Sequence, residues 1–280
     1  MSEAFGDRLA AVFDSRGHLC VGIDPHPFLL EQWGLPDSAD GVREFGLRVV
    51  DAAAGVIGIL KPQVAFFERH GSQGYAALET VLAAAREAGL LTIADAKRGD
   101  IGSTIDAYGE AWLSPGSPLE ADAMTVVAYQ GVGSLVGPID IARAAGKGIF
   151  VLAATSNPEA VATQTAVSAG SGETVAAGIV SRVHELNAAG PALGAIGVVL
   201  GATVDLADYG IETGRLAKTP ILAPGFGEQG ALFGDIPRLY GAASANLVVA
   251  VSRAVLRAGS RDIDAVIART AAELAEATGA

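Results

Sequence analysis

Eight short apolar runs constrain this chain more than any other feature, because each is followed by a turn and then by an alanine-rich segment of helical spacing. The runs are His18–Ile23, Ile57–Val64, Leu90–Ala94, Ala123–Ala128, Gly148–Ala153, Ala195–Leu200, Pro220–Ala223 and Asn246–Val251. They are apolar throughout rather than alternating, as strands buried on both faces are. Between them lie the helical candidates Ser38–Gly55, Gly74–Gly89, Ile101–Leu113, Ser134–Ala145, Gly172–Ala188, Asp205–Leu216 and Arg261–Thr278. In the second of these, Leu78, Leu82 and Ala85 share a face and Gly89 supplies the stop. Strict alternation of strand and helix implies a parallel sheet with right-handed crossovers. Eight strands in 280 residues favour an α/β fold closed as a (β/α)8 TIM barrel, one domain over residues 1–280, with an open doubly wound sheet as the rival. An extra N-terminal helix, Ala4–Arg16, precedes the first strand and is expected to cap the barrel floor.

Charge and cysteine content narrow the function. The formal net charge is −12, with 31 acidic and 19 basic residues, so the basic excess that nucleic acid or an anionic membrane demands is missing. An anionic substrate would have to meet cations gathered locally. The single cysteine, Cys20, forms no internal disulfide framework and reads as a small buried apolar residue. The opening MSEAFGDRLAAVF lacks the apolar core of a signal peptide, and no run approaches the roughly 18 apolar residues of a membrane span. The expectation is a protein of a reducing compartment, the cytoplasm.

Function in a barrel concentrates where strands end, so polar residues there are the informative ones. Asp95 and Lys97 are two apart, which on an extended backbone points both side chains to one face. Asp100 follows a Gly99 turn and can add a second carboxylate, or can cap the next helix as part of a solvated charge cluster. Carboxylates beside a lysine favour its charged form, making it a proton donor rather than an amine nucleophile. Lys61 lies inside the apolar run Ile57–Val64, where it is costly unless a carboxylate meets it; Asp24 and Asp95 are the available partners. Snorkelling from a strand end would serve Lys61 equally well, and Asp24 before Pro25 could be a turn residue.

Gly225-Phe226-Gly227-Glu228-Gln229-Gly230, which follows Pro224, matches G-x-G-x-x-G but sits late in the chain, and Pro237 breaks the helix a dinucleotide site requires. The simpler reading is a loop whose backbone N–H groups and Gln229 amide meet one phosphate, with Arg253 as the cation. A structural turn and a surface arginine are the alternatives. Ser156 has no evident histidine partner, so it reads as a substrate hydrogen bond or a turn cap. The four histidines show no metal-ligand spacing, and only His26 lies near the expected rim. Two further segments break the rhythm and belong to that rim: Thr163–Gly172, read as a mobile loop, and Gly225–Tyr240.

Asp95-x-Lys97-x-x-Asp100-Ile101-x-x-Thr104 resembles the D-x-K-x-x-D-I-x-x-T pattern of the orotidine 5′-phosphate decarboxylase family, and DAKRGDIGST resembles its longer bacterial branch. Gly22-Ile23-Asp24, Leu60-Lys61-Pro62, Thr155-Ser156-Asn157-Pro158, Pro224 to Gly230 and Ser252-Arg253 continue the resemblance in order along the chain. The resemblance implies a TIM barrel that converts orotidine 5′-monophosphate to uridine 5′-monophosphate and carbon dioxide, in pyrimidine biosynthesis. It implies that Lys97 protonates C6 of the pyrimidine, that Asp95 faces the substrate carboxylate, and that Lys61 and Asp24 hold the ribose. It places Ser156 on the pyrimidine and Gln229, Gly230 and Arg253 on the phosphate. It further implies a homodimer in which Asp100 and Thr104 reach the neighbouring subunit's site, Ile101 as a further substrate-binding residue, and no metal or organic cofactor. The tyrosine that the shorter branch carries near its phosphate arginine is missing from Arg253-Ala254-Val255-Leu256.

Three other readings compete. A magnesium-dependent sugar-phosphate decarboxylase shares D-x-K-x-x-D but wants an extra acid near the second strand, where this chain has Lys61-Pro62-Gln63. A Schiff-base aldolase wants a neutral lysine in apolar surroundings, and Lys97 stands between aspartates. A catalytically silent nucleotide-binding barrel would tolerate loss of a charged member, yet Asp24, Lys61, Asp95, Lys97 and Asp100 are all present.

Overall fold

The computed structural model describes residues 3–190 and 192–279. Eight strands close in sequence order into a parallel barrel: β1 (Leu19–Ile23), β2 (Ile59–Pro62), β3 (Leu91–Arg98), β4 (Ala123–Val126), β5 (Gly148–Ala154), β6 (Ile196–Leu200), β7 (Ile221–Pro224) and β8 (Leu247–Val251). β1 pairs with β8 through Cys20 and Ala250 and with β2 through Cys20 and Ile59, so no edge is left open. Each expected run coincides with a strand, β5 and β7 ending one residue beyond theirs, and the doubly wound alternative is discarded. β3 is the exception in length, running on to Arg98 past the expected end at Ala94.

Alternate residues of the strands face the barrel axis, and their chemistry changes with height. Cys20, Ile59, Leu91, Ile93, Ala123, Phe150, Leu222 and Val248 form an apolar lower filling. Two residues further along the same strands come Lys61, Asp95 and Thr125. The outward faces pack against the surrounding helices in a second, larger core.

Helix α1 (Phe5–Arg16) closes the floor as expected, with Phe5 and Leu9 buried against the lower filling. Phe5 meets Phe150 edge-on at 6.1 Å between centroids. A Cβ on Gly148 would stand 2.5 Å from the Phe5 ring, so only glycine lets α1 come this close. Arg8 pins the helix by donating to Asp122, which also accepts from the Thr92 backbone N–H at 2.9 Å. Lys147 completes the cluster, 2.9 Å from Glu120 and 3.4 Å from Asp122.

The helices expected at Ser38–Gly55, Gly74–Gly89, Ile101–Leu113, Ser134–Ala145, Gly172–Ala188 and Arg261–Thr278 form at Ala39–Ala53, Gly71–Glu87, Gly102–Leu113, Val136–Ala145, Val175–Asn187 and Ile263–Thr278. Asp205–Leu216 does not. That crossover is irregular until a 3-10 turn at Thr213–Leu216. The Asp205 carboxylate takes the Ala207 N–H at 3.0 Å and Gly210 turns through φ +67°, and both divert the backbone from helical bonding. Leu206, Tyr209 and Ile211 are nonetheless buried, so the apolar spacing served packing rather than a helix. Among the described residues, no helix is long and apolar enough to cross a membrane.

Candidate active site

Above the apolar filling, one carboxylate gathers three donors. Asp95 Oδ2 accepts from Lys61 Nζ at 2.9 Å; Oδ1 accepts from Lys97 Nζ at 2.5 Å and from Thr125 Oγ1 at 2.9 Å. Burial pushes the Asp95 carboxyl up, but Lys61 and Lys97 together hold it well below the usual carboxylate range. For Lys61, burial favours the neutral amine, yet Asp95 and Asp24 override it and raise its pKa, so it stays an ammonium. Of the two open partners for Lys61, Asp95 makes the hydrogen bond, and Asp24 contributes through its field. The lysine is buried and does not snorkel.

Lys97 reaches the array by a route that pleat alternation does not describe. It has φ +47°, the sole positive value among the described non-glycine residues, and the β3–β4 register shifts between Ala94 and Arg98. The Thr125 hydroxyl accepts the Lys97 backbone N–H at 2.9 Å and so holds the bend. The lysine side chain stays 44% exposed against 9% for Asp95. One ammonium is therefore sealed beneath the carboxylate and the other is open to the mouth. Thr125 escaped the sequence reading, because a threonine is an ordinary strand residue and carries no signal like that of a lysine in an apolar run.

The array forms the base of a cavity of about 460 Å³. Asp24, Ser156, Pro224, Gln229 and Arg253 also line it, together with Gln63, Asn157, Phe226 and Glu228. Asp24 Oδ2 accepts from Ser252 Oγ at 2.6 Å, while Oδ1 is buried and has no partner. A buried carboxylate oxygen without a donor is costly and marks a place for a ligand hydroxyl. Ser156 Oγ donates to Gln229 Oε1 at 3.3 Å, joining the loops after β5 and β7 across the mouth.

The glycine loop is arranged differently from the expectation of amides turned to a phosphate. Gly227 N–H donates to Ala231 at 3.0 Å and Gly230 N–H to Gly227 at 2.9 Å, so these two amides are consumed inside the loop. Gly225, Gly227 and Gly230 have φ of +115°, +76° and +99°, values that permit this tight self-bonded turn. Gly230 does not line the cavity, whereas Gly225, Phe226, Glu228 and Gln229 do.

Asp100, Ile101 and Thr104 also lie outside the cavity of their own chain. Asp100 Oδ1 accepts the Ile101 N–H at 2.8 Å, and Ile101 rather than Asp100 occupies the cap position of the following helix. Ile101 is 60% exposed, and Tyr129, after β4, is 85% exposed.

The remaining polar expectations resolve simply. His26 packs against Phe28 and Phe66, at 5.3 and 4.2 Å between ring centroids, and burial lowers its pKa. Cys20 is enclosed in the lower filling, where burial pushes the thiol up to about 12. The segment read as a loop at Thr163–Gly172 begins inside a short helix, Val161–Gln164; the Gln164 amide bonds Thr155 twice, each at 2.9 Å, and braces the loop that carries Ser156.

A family model described as orotidine 5′-phosphate decarboxylase/HUMPS matches residues 17–266. Orotidine 5′-phosphate decarboxylase of Streptomyces coelicolor is 50% identical over 272 residues, covering 97% of this chain and 95% of that protein. The enzyme of the same name from Salinispora arenicola is 48% identical over 260 residues, covering 92% and 91%. A crystal structure from Streptomyces avermitilis, provisionally assigned the same activity, has a TM-score of 0.94 at 48% identity and covers 100% of this chain and 97% of its own. The Leishmania donovani OMP decarboxylase structure has a TM-score of 0.78 at 28% identity, covering 99% and 100%.

Proposed function

The chain belongs to the orotidine 5′-phosphate decarboxylase/HUMPS family, and on that footing we propose that it converts orotidine 5′-monophosphate to uridine 5′-monophosphate and carbon dioxide, for pyrimidine biosynthesis. The observation that carries this reading is the Lys61–Asp95–Lys97 array, with one ammonium buried and one facing the cavity. The bond from C6 to the carboxylate breaks, carbon dioxide leaves, and the electron pair remains on C6. The Lys97 ammonium donates the proton that forms the C6–H bond and later regains one from water. A vinyl carbanion is very unstable in water, so a pre-placed ammonium supplies the electrostatic stabilisation. Asp95 faces the departing carboxylate and accepts a hydrogen bond from Lys97 Nζ. Lys61 holds Asp95 from below, and Asp24 Oδ1 is the acceptor for a ribose hydroxyl. Ser156 meets the pyrimidine, and Gln229 and Arg253 meet the phosphate, with Pro224 shaping that wall.

The metal-dependent branch is disfavoured by a specific contact. Lys61, bonded to Asp95, puts an ammonium where that chemistry wants an acid, and an ammonium repels a divalent cation. The mechanism above needs no metal or organic cofactor. We read the chain as one barrel domain that works in the cytoplasm as a homodimer, with no nucleic-acid or membrane partner. The exposed Ile101 and Tyr129 support a covered flank there. In the dimer, Asp100, Ile101 and Thr104 complete the partner's site.

The deciding assay follows orotidine 5′-monophosphate by ultraviolet absorbance in excess EDTA, for the wild type and Lys97→Ala. Turnover that survives EDTA and vanishes in the variant is expected; no turnover, or turnover abolished by EDTA, would move the assignment to a silent barrel or to the metal-dependent branch. Composite sites are tested by mixing Lys97→Ala with Asp100→Ala chains. Mixed dimers should regain one intact site, and absence of any recovery would sink the shared-site arrangement.

A further inference from the structure

Glu228 brings a negative charge to the place where an anion would bind. Its side chain is 29% exposed on the self-bonded glycine loop and lines the cavity beside Gln229. Its Oε1 lies 2.9 Å from Arg257 Nη2 and 4.0 Å from Arg253 Nη1. One carboxylate is thus shared unequally by two guanidiniums, and the closer one is not the cation that lines the cavity. Arg257 is itself held from a third direction. Its guanidinium lies 5.9 Å from the centroid of the Phe28 ring, and its carbonyl accepts from Gln32 Nε2 at 2.6 Å. The neighbouring Leu256 carbonyl accepts from Trp33 Nε1 at 2.9 Å.

We propose that Glu228 is a built-in competitor for Arg253 that weakens the grip on the substrate's phosphate, and that Arg257 is the positioning residue that draws it aside. This rests on the decarboxylase reading for the identity of the phosphate ligand. A phosphate hydrogen-bonded to Arg253 stands close to an oxygen only 4.0 Å from the same Nη1, and two anions that near repel unless one is drawn away. Arg257 already supplies the alternative partner at hydrogen-bonding distance. The Gly227 and Gly230 amides are consumed inside the loop, and Arg253 is the cation lining the cavity beside it, so a competitor for Arg253 acts on the main cation of the subsite. Phosphate is remote from the reacting carbon, and a restrained grip on it limits how tightly the product, which keeps that phosphate, is retained.

The test is calorimetric binding of uridine 5′-monophosphate and of uridine to the wild type, Glu228→Gln, Arg257→Ala and the double variant. Glu228→Gln should bind the nucleotide roughly three- to ten-fold more tightly and leave uridine unchanged. Arg257→Ala should weaken the nucleotide by a similar factor, because Glu228 then settles on Arg253. In the Glu228→Gln background, Arg257→Ala should have no effect. Unchanged or weaker nucleotide binding by Glu228→Gln overturns the proposal, as does an Arg257→Ala loss that persists in the double variant. A wild type that binds neither ligand defeats the decarboxylase reading instead, and the proposal with it.

Discussion

The two ends of the barrel solve one physical problem in opposite ways. At the floor, Asp122 is met by Arg8, Lys147 and the Thr92 N–H, and helix α1 covers the cluster. At the mouth, Asp95 is met by Lys61, Lys97 and Thr125 and is equally buried, but the array opens onto the cavity, Lys97 is half exposed, and Asp24 Oδ1 has no partner. Both carboxyls are depressed: burial raises each, and cations override it, Lys147 and Arg8 for Asp122 and the two lysines for Asp95. Buried ion pairs alone therefore do not mark a catalytic site. What separates the ends is an unsatisfied acceptor and a half-exposed cation facing a cavity, where the floor has a saturated network.

The sharpest way to break this comparison is to remove the cation from each end. Lys97→Ala should cost on the order of 10³-fold or more in kcat, the range of a lost general acid with added electrostatic stabilisation, while Tm hardly moves. A large drop in Tm there would make the mouth array structural as well. Asp122→Asn should do the reverse. Leaving Lys147 and Arg8 without their shared carboxylate should cost about 2–4 kcal/mol, measured by denaturant unfolding, with kcat per folded molecule unchanged.

Acid sharpens the contrast. A carboxyl whose folded pKa lies below its unfolded value contributes stability present above the unfolded value, about 3.9, and lost as pH falls through the folded one. Wild type should therefore lose stability below about pH 4, and Asp122→Asn should lose less across that window because one linked carboxyl is gone. Equal acid sensitivity would mean that Asp122 is not depressed in the folded state. The smallest effect expected is from Gly148→Ala, which presses on Phe5 and should cost about 1–3 kcal/mol without touching the mouth. A loss of kcat in that variant would mean that the floor and the mouth are coupled.

Legibility followed how local the cause was. The strand runs could be read because burial on both faces imposes continuous apolarity over a few residues. Lys61 could be read because a lysine in such a run requires a carboxylate. Thr125 could not be distinguished from an ordinary strand threonine until β3 bent toward it. Asp205–Leu216 misled because apolar spacing records burial, and here burial is achieved by an irregular segment. The glycine loop misled because its residue types suit both exposed and self-bonded amides, and Glu228 gave no sign of its two arginines, one of which lies beyond the motif.

The sequence alone determined the order and number of strands, the closing helix at the N-terminus, and the residue types ranged along the strand ends, since each of these follows from neighbours in the chain. Tertiary structure decided which of those residues meet. Asp24 and Ser252 touch across 228 positions only because β1 pairs with β8, and Lys97 finds Asp95 through a left-handed turn that Thr125 stabilises from the next strand. Barrel closure and the cost of an unpaired buried charge, acting between elements distant in sequence, set those contacts.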